Sequence, residues 1–170
     1  MWWRDIAASR RGARAGALCL MLVGCGFEPA LAPDGPARAL TGRVELNVPE
    51  GRLGFALRDA LVARVGRATP NAPYRLEADL EMVESGLAIS TDSAINRYVL
   101  RGVSRFRMDG PEGFAPIEGE VRTLSSYSAA GSLYATRAAQ RDAEARVARD
   151  LGDRIADQAV ATLADRQAAD

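Results

Sequence analysis

The 170-residue sequence predicts an α+β two-layer sandwich, two helices packed on one face of a four-stranded mixed sheet in the order β-α-β-β-β-α. Three observations carry that expectation. Apolar and charged residues alternate over 74–82, the period of a strand with one covered face and one wet face. Apolar residues recur every fourth position over 52–67 and again over 133–164, the period of a helix with one buried stripe. The second helix follows three consecutive strands rather than alternating with them, which segregates the helices to one layer.

Each element has its own signal. Arg43-Val44-Glu45-Leu46-Asn47-Val48 alternates polar with apolar, a half-buried strand that Pro49 stops. Leu53, Leu57, Leu61 and Val65, with Ala60 beside them, give the first helix its apolar face, and Pro70 and Pro73 close the segment. In the next strand Tyr74, Leu76, Ala78, Leu80 and Met82 face one way and Arg75, Glu77, Asp79 and Glu81 the other. A long strand follows from about Ile95 to Met108, then the turn cluster Asp109-Gly110-Pro111-Glu112-Gly113, then a strand over 117–124, so residues 95–124 read as a hairpin. Gly, Ser and Ala fill a loop over 125–132, where the hydroxyls of Ser125, Ser126, Tyr127 and Ser128 have no base beside them. The final helix places Val147, Leu151, Ile155, Ala159 and Leu163 on one face, with Gly152 as the place for a bend. Asp142–Arg146 and Asp150–Arg154 sit at i,i+4 on it, each pair adding a few tenths of a kcal/mol. The organisation is therefore a leader over 1–24, a Pro- and Ala-rich flexible tether over 25–40, and one α+β domain over 41–165.

The leader has the form of a secretory signal. Arg4, Arg10, Arg11 and Arg14 precede the uncharged run Ala15–Gly24, whose ten residues are too few to cross a bilayer as a helix. Leu22-Val23-Gly24-Cys25 resembles the bacterial lipobox, in which small residues precede a thiol that takes a diacylglycerol thioether. Cys25 is thus the expected lipid attachment site. Gly26 after it, by the sorting rule for lipoproteins, implies the outer membrane, with the body facing the periplasm. Pro29, Pro33 and Pro36 mark the tether as semi-extended.

Composition narrows the function. All 22 basic residues are Arg and balance 22 acidic ones. The leader holds four Arg and one Asp, leaving 18 Arg against 21 Asp or Glu in the remainder. That sign gives no footprint for nucleic acid. His is absent, which removes the usual proton shuttle near neutral pH and every Ser-His or Cys-His nucleophile pair. The two Cys, 19 and 25, form no metal-ligand set. Composition argues against an enzyme and implies no cofactor.

One feature invites a ligand. On strand 95–108 the odd positions are Arg97, Val99, Arg101, Val103, Arg105 and Arg107, a stripe of guanidinium groups separated by β-branched residues. Arg grips phosphate in bidentate fashion while its stem lies on apolar surface, so the stripe suits an amphiphile bearing phosphates. Arg122 on the following strand can join it. The same arginines can equally pair across strands with Glu77, Asp79, Glu81, Glu118 and Glu120.

Several blocks carry a family resemblance. Cys25-Gly26-Phe27-Glu28-Pro29, Asn96-Arg97-Tyr98-Val99-Leu100 and the run from Tyr127 through Tyr134-Ala135-Thr136-Arg137 to Leu151-Gly152-Asp153-Arg154-Ile155-Ala156 resemble the lipopolysaccharide-assembly lipoproteins of the LptE family. The resemblance implies two helices against a four-stranded sheet, the outer-membrane β-barrel LptD as partner, and delivery of lipopolysaccharide to the outer leaflet. It also implies lipopolysaccharide contacts through basic residues near strand ends, for which Arg97, Arg101 and Arg122 are nearest, with Arg105 added by the stripe. The alternative is an auxiliary lipoprotein of an ABC-type, MCE-like envelope lipid-transport system.

Overall fold

The computed structural model describes residues 36–89, 95–129 and 131–169. The expected leader, the expected attachment site Cys25 and the expected tether up to residue 35 lie outside the described residues. A short helix α1 (Pro36–Leu40) leads into β1 (Val44–Asn47), α2 (Arg52–Val65), β2 (Tyr74–Ala78), β3 (Glu81–Ile89), β4 (Ile95–Asp109), β5 (Ile117–Ser128) and the long α3 (Leu133–Ala169).

The five strands fill four positions of a mixed sheet. β1 runs parallel to β2, and every other pairing is antiparallel. β2 and β3 lie end to end along one edge of β4, and β5 takes the other edge. Ala78 faces Phe106 and Glu81 faces Val103, so the register carries across the gap unchanged. The gap is chemical. The Asp79 side chain, through Oδ1, accepts the Arg105 N–H at 2.7 Å. Its displaced carbonyl takes the Ser104 hydroxyl at 2.5 Å, which satisfies a fully buried side chain. The expected strand over 74–82 is thus one arm interrupted at 79–80 and prolonged to Ile89. Ser85, Gly86 and Ala88 hide that extension from propensity, and pairing with Tyr98–Leu100 imposes it.

Both main helices cover one sheet face. The even positions of β4 (Leu100, Gly102, Ser104, Phe106 and Met108) are buried with Ile117, Val121, Thr123 and Tyr127 of β5. Over them lie Val147, Leu151, Ile155, Ala159 and Leu163 of α3 and Leu57, Leu61 and Val65 of α2. Each fully buried Val, Leu or Ile contributes about 1.5–3 kcal/mol, so the α3 stripe alone outweighs the surface ion pairs. The helices run side by side in the same direction: Arg52 Nη1 donates to the Arg141 carbonyl at 3.2 Å, and Arg64 Nε to Asp153 at 2.9 Å. They touch where Gly152 meets α2; a Cβ there would stand 2.8 Å from both the Ala60 Cβ and the Leu57 carbonyl oxygen. α3 continues through Gly152, whose missing side chain admits the neighbouring helix.

Two ends of the sheet follow from this topology. At one, Gly66 adopts φ 75° to close α2, its N–H donating to Val62 O at 2.9 Å, and Gly113 adopts φ 85° in the β4–β5 turn. α1 joins this end, and Leu40 is fully buried, so the described body begins before Thr41. At the other end β5 runs four residues past the expected strand. Tyr127 holds it there: its ring stacks on Tyr98 at 5.1 Å, and its hydroxyl donates to Glu84 at 3.0 Å. Burial, then the Glu84 carboxylate, pushes the phenol up to about 12.

Candidate functional site

The helix-free face of the sheet carries every residue of the arginine stripe. Strand alternation puts Arg97, Val99, Arg101, Val103, Arg105 and Arg107 on the side away from the core. Neighbouring strands then decide the surroundings of each one.

The half near the β4–β5 turn is charge-compensated. Arg105 lies 3.4 Å from Asp79, 3.9 Å from Glu81 and 3.2 Å from Glu120. Arg107 reaches Asp109 at 2.8 Å and pairs with Glu118 across the strands. The Asp109 hydrogen bond, outweighing a small desolvation cost, holds the Arg107 guanidinium above its ordinary value. Arg122, opposite Val103, pairs with Glu120. Glu77 stands opposite Arg107 but accepts from Asn47 at 3.3 Å. A shallow groove opens here between Val48, Glu77, Phe106, Arg107, Glu118 and Glu120. Its arginines already face carboxylates, so it has little positive charge left for a phosphate.

The half toward the start of β4 is different. In register with Arg101 stand Val83 on β3 and Leu124 on β5. Both apolar side chains are exposed, at 49 % and 63 %. One step on, Val99 lies between Ser85 and Ser126, and Arg97 then faces Ser128. Among the described residues no carboxylate lies within 4 Å of the Arg97 or Arg101 guanidinium. Two exposed cations about 13 Å apart along the strand therefore sit in a patch of valine, leucine and serine hydroxyls. Such a surface offers bidentate donors to phosphate and apolar area to a hydrocarbon at once.

Cross-strand pairing with carboxylates is thus formed in one half of the stripe and, among the described residues, is not formed in the other. Arg105 and Arg122 are held by carboxylates, whereas Arg97 and Arg101 are brought together with exposed apolar groups. Val83 and Leu124 escaped the sequence reading, because only the register reveals them as neighbours of Arg101. Ser126 and Ser128, assigned to a loop, are strand residues of the open face. Behind them Arg146 reaches over the β5 edge to the Ser126 carbonyl at 3.3 Å and also pairs with Asp142, as its spacing predicts. The Asp150–Arg154 pair also forms, at 3.0 Å. Burial pushes the Asp150 carboxyl up, but the Thr123 hydroxyl and Arg154 outweigh it and hold the group below its ordinary value. Among the described residues no group of three metal-binding side chains occurs, and no helix is long and apolar enough to cross a membrane.

A helix pair on one face of a mixed sheet, with an amphiphilic open face, defines a class: a small α+β two-layer module with one sheet face left uncovered by helices. Residues 41–159 match the LptE family, described as lipopolysaccharide-assembly, and the chain belongs to that family. A Caulobacter crescentus CB15 protein described as a lipoprotein is 27 % identical over 76 % of this chain and 96 % of its own, with a TM-score of 0.59. The solution structure of an uncharacterized lipoprotein B from Nitrosomonas europaea shares the fold at 13 % identity, covering 85 % of this chain and 94 % of its own, with a TM-score of 0.52. No curated protein matches the chain.

Proposed function

We propose that this protein is a non-catalytic lipoprotein, anchored through acylated Cys25 to the periplasmic face of the outer membrane, that assembles with the LptD β-barrel and helps pass lipopolysaccharide to the outer leaflet. Membership in a lipopolysaccharide-assembly family supports the process. The lipobox-like Leu22-Val23-Gly24-Cys25 supports the anchor. The observation that carries the ligand is Arg101, uncompensated among the described residues and flanked in register by exposed Val83 and Leu124. Arg97 is its partner cation. The lipid's phosphates would meet the two guanidinium groups, and its apolar part would lie on valine and leucine.

The test compares the two halves of the stripe. Arg97→Glu with Arg101→Glu is expected to lower lipopolysaccharide affinity at least about tenfold, equivalent to about 1.4 kcal/mol. Arg105→Gln with Arg107→Gln removes the same number of cations from the compensated half and is expected to leave affinity within about twofold. Equal losses from both pairs would overturn the assignment. Pull-down from solubilised envelopes checks the partner: an LptD-type barrel supports it, and an MCE-type transport complex in its place contradicts it.

A further inference from the structure

Three strand edges bound the sheet, and arginines guard two of them. Arg58 of α2 donates to the Leu46 carbonyl at 3.1 Å, on the outer side of β1. Arg146 of α3 reaches the Ser126 carbonyl of β5 at 3.3 Å, and Arg166 holds the Pro116 carbonyl just before β5 at 3.0 Å. β1 is also only four residues long, and Pro49 follows it closely. Short length, proline and edge-covering cations keep a strand from pairing with another chain. β3, nine residues long, contains no proline. Among the described residues no side chain occupies its outer backbone, and it packs chiefly on β4.

The phase of the pairing shows which backbone groups of β3 are open. The Asp79 N–H donates to the Arg105 carbonyl at 3.0 Å, and the Arg105 N–H donates to Asp79 Oδ1 at 2.7 Å. Residues 79 and 105 are thus a hydrogen-bonded pair, and in an antiparallel ladder such pairs alternate. The same register continues into β3, so Glu81, Val83 and Ser85 turn their N–H and C=O toward Val103, Arg101 and Val99. Met82, Glu84 and Gly86 turn theirs outward. The register shift between Gly86 and Ala88 ends the run.

The side chains along this edge define what fits it. Val83 is exposed and stands beside Arg101, at the margin of the amphiphilic patch. Glu81 and Glu84 are the only charged residues of β3. Arg105 lies 3.9 Å from Glu81 but is shared with Asp79 and Glu120. Glu84 accepts from neutral donors, Tyr127 at 3.0 Å and Gln140 at 3.2 Å. The edge is therefore apolar at Val83 and negative on either side of it. An extended segment with an apolar residue between basic ones complements it in backbone, shape and charge.

We propose that β3 takes on a sixth strand supplied by the barrel partner: an extended segment of that chain, apolar beside Val83 and basic beside Glu81 and Glu84, pairs with Met82, Glu84 and Gly86. The added strand widens the open face next to Arg101 and walls the lipid patch on the side that the body alone leaves open. The inference rests on the proposed barrel partnership, and the experiment separates the two.

The tagged full chain is purified from solubilised envelopes with and without an LptD-type barrel, and backbone hydrogen exchange is read residue by residue. In the barrel-free chain the amides of Met82, Glu84 and Gly86 are expected to exchange freely, while those of Val83 and Ser85 are protected. In the complex the three open amides are expected to slow at least about tenfold. Glu84→Pro deletes an outward donor and leaves the groups facing β4, so barrel recovery is expected to fall about tenfold. Glu84→Ala loses the same carboxylate but keeps the N–H, and a fall of no more than about threefold is expected. Melting temperature checks the fold of each variant, and the exchange measurement needs no variant. Edge amides that stay fast in the complex, or equal recovery with Glu84→Pro and Glu84→Ala, would overturn the proposal. Slow edge amides in the barrel-free chain that become fast on dilution assign the edge to a second copy and overturn it too. A pull-down that recovers no barrel contradicts the partnership and its added strand together, whereas a recovered barrel with fast edge amides contradicts the strand alone.

Discussion

Gly152→Ala tests how the two helices meet. Alanine is the better helix former, and at an exposed site the exchange would stabilise by about 1 kcal/mol. Here the new Cβ would stand 2.8 Å from the Leu57 carbonyl oxygen and 2.8 Å from the Ala60 Cβ. Neither is the tip of a flexible side chain, so the backbones of α2 and α3 must separate. Overpacking of this kind costs about 1–3 kcal/mol. The clash therefore wins, with a net loss of about 1 kcal/mol and a fall in melting temperature of about 3–6 °C for a body of this size. Ala60→Gly in the same chain removes one of the two close contacts and is expected to show coupling of at least about 0.5 kcal/mol in a double-mutant cycle by thermal denaturation. A rise in melting temperature for Gly152→Ala, or strict additivity with Ala60→Gly, would refute the close approach as the reason for glycine.

Three further outcomes are expected. Gly102→Val would drive a side chain into Val147 and Leu151, lifting α3 from β4; denaturant titration should show a loss of about 1–3 kcal/mol, and an unchanged midpoint contradicts the packing. The fold favours ionised Asp150, whose carboxyl lies below its ordinary value, so its contribution is present above about pH 4 and lost as pH falls through the folded value. Asp150→Asn should accordingly lower stability at pH 7 and flatten the acid limb of stability against pH; an unchanged acid limb contradicts this. The fold favours neutral Tyr127, raised to about 12, so its contribution is complete below the unfolded value near pH 10 and fades as pH climbs from there to 12. Tyr127→Phe should remove that alkaline loss, which ultraviolet-monitored titration and melting at each pH can read.

Much of the fold was legible because burial imposes a period. Leu57, Leu61 and Val65 at four-residue spacing, and Leu76 and Ala78 at two, lie where their periods put them. The extensions of β3 and β5 were not legible. Ser85, Gly86, Ser126 and Ser128 have little strand preference of their own, and partners distant in sequence hold them in the ladder. The candidate site was legible as a stripe and not as a patch. All four arginines from 97 to 107 share one face by alternation, yet which of them meets a carboxylate depends on register. Sliding β5 by four residues along β4 would set Glu120 opposite Arg101 in place of Arg105, and no local pattern fixes such a slide. The gap at Asp79 depends on a side chain taking a backbone position, which composition does not announce.

The central claim is that phosphorylated lipid meets the open face at Arg101 and not at the compensated half. A photo-crosslinking side chain placed at Leu124 and, separately, at Glu118 in living cells addresses it most directly, since both positions lie on β5 and face the same way. Lipopolysaccharide adducts are expected at 124 that disappear with Arg97→Glu and Arg101→Glu, and few are expected at 118. Adducts of equal yield at both positions, or adducts at 124 that survive loss of both arginines, would contradict it.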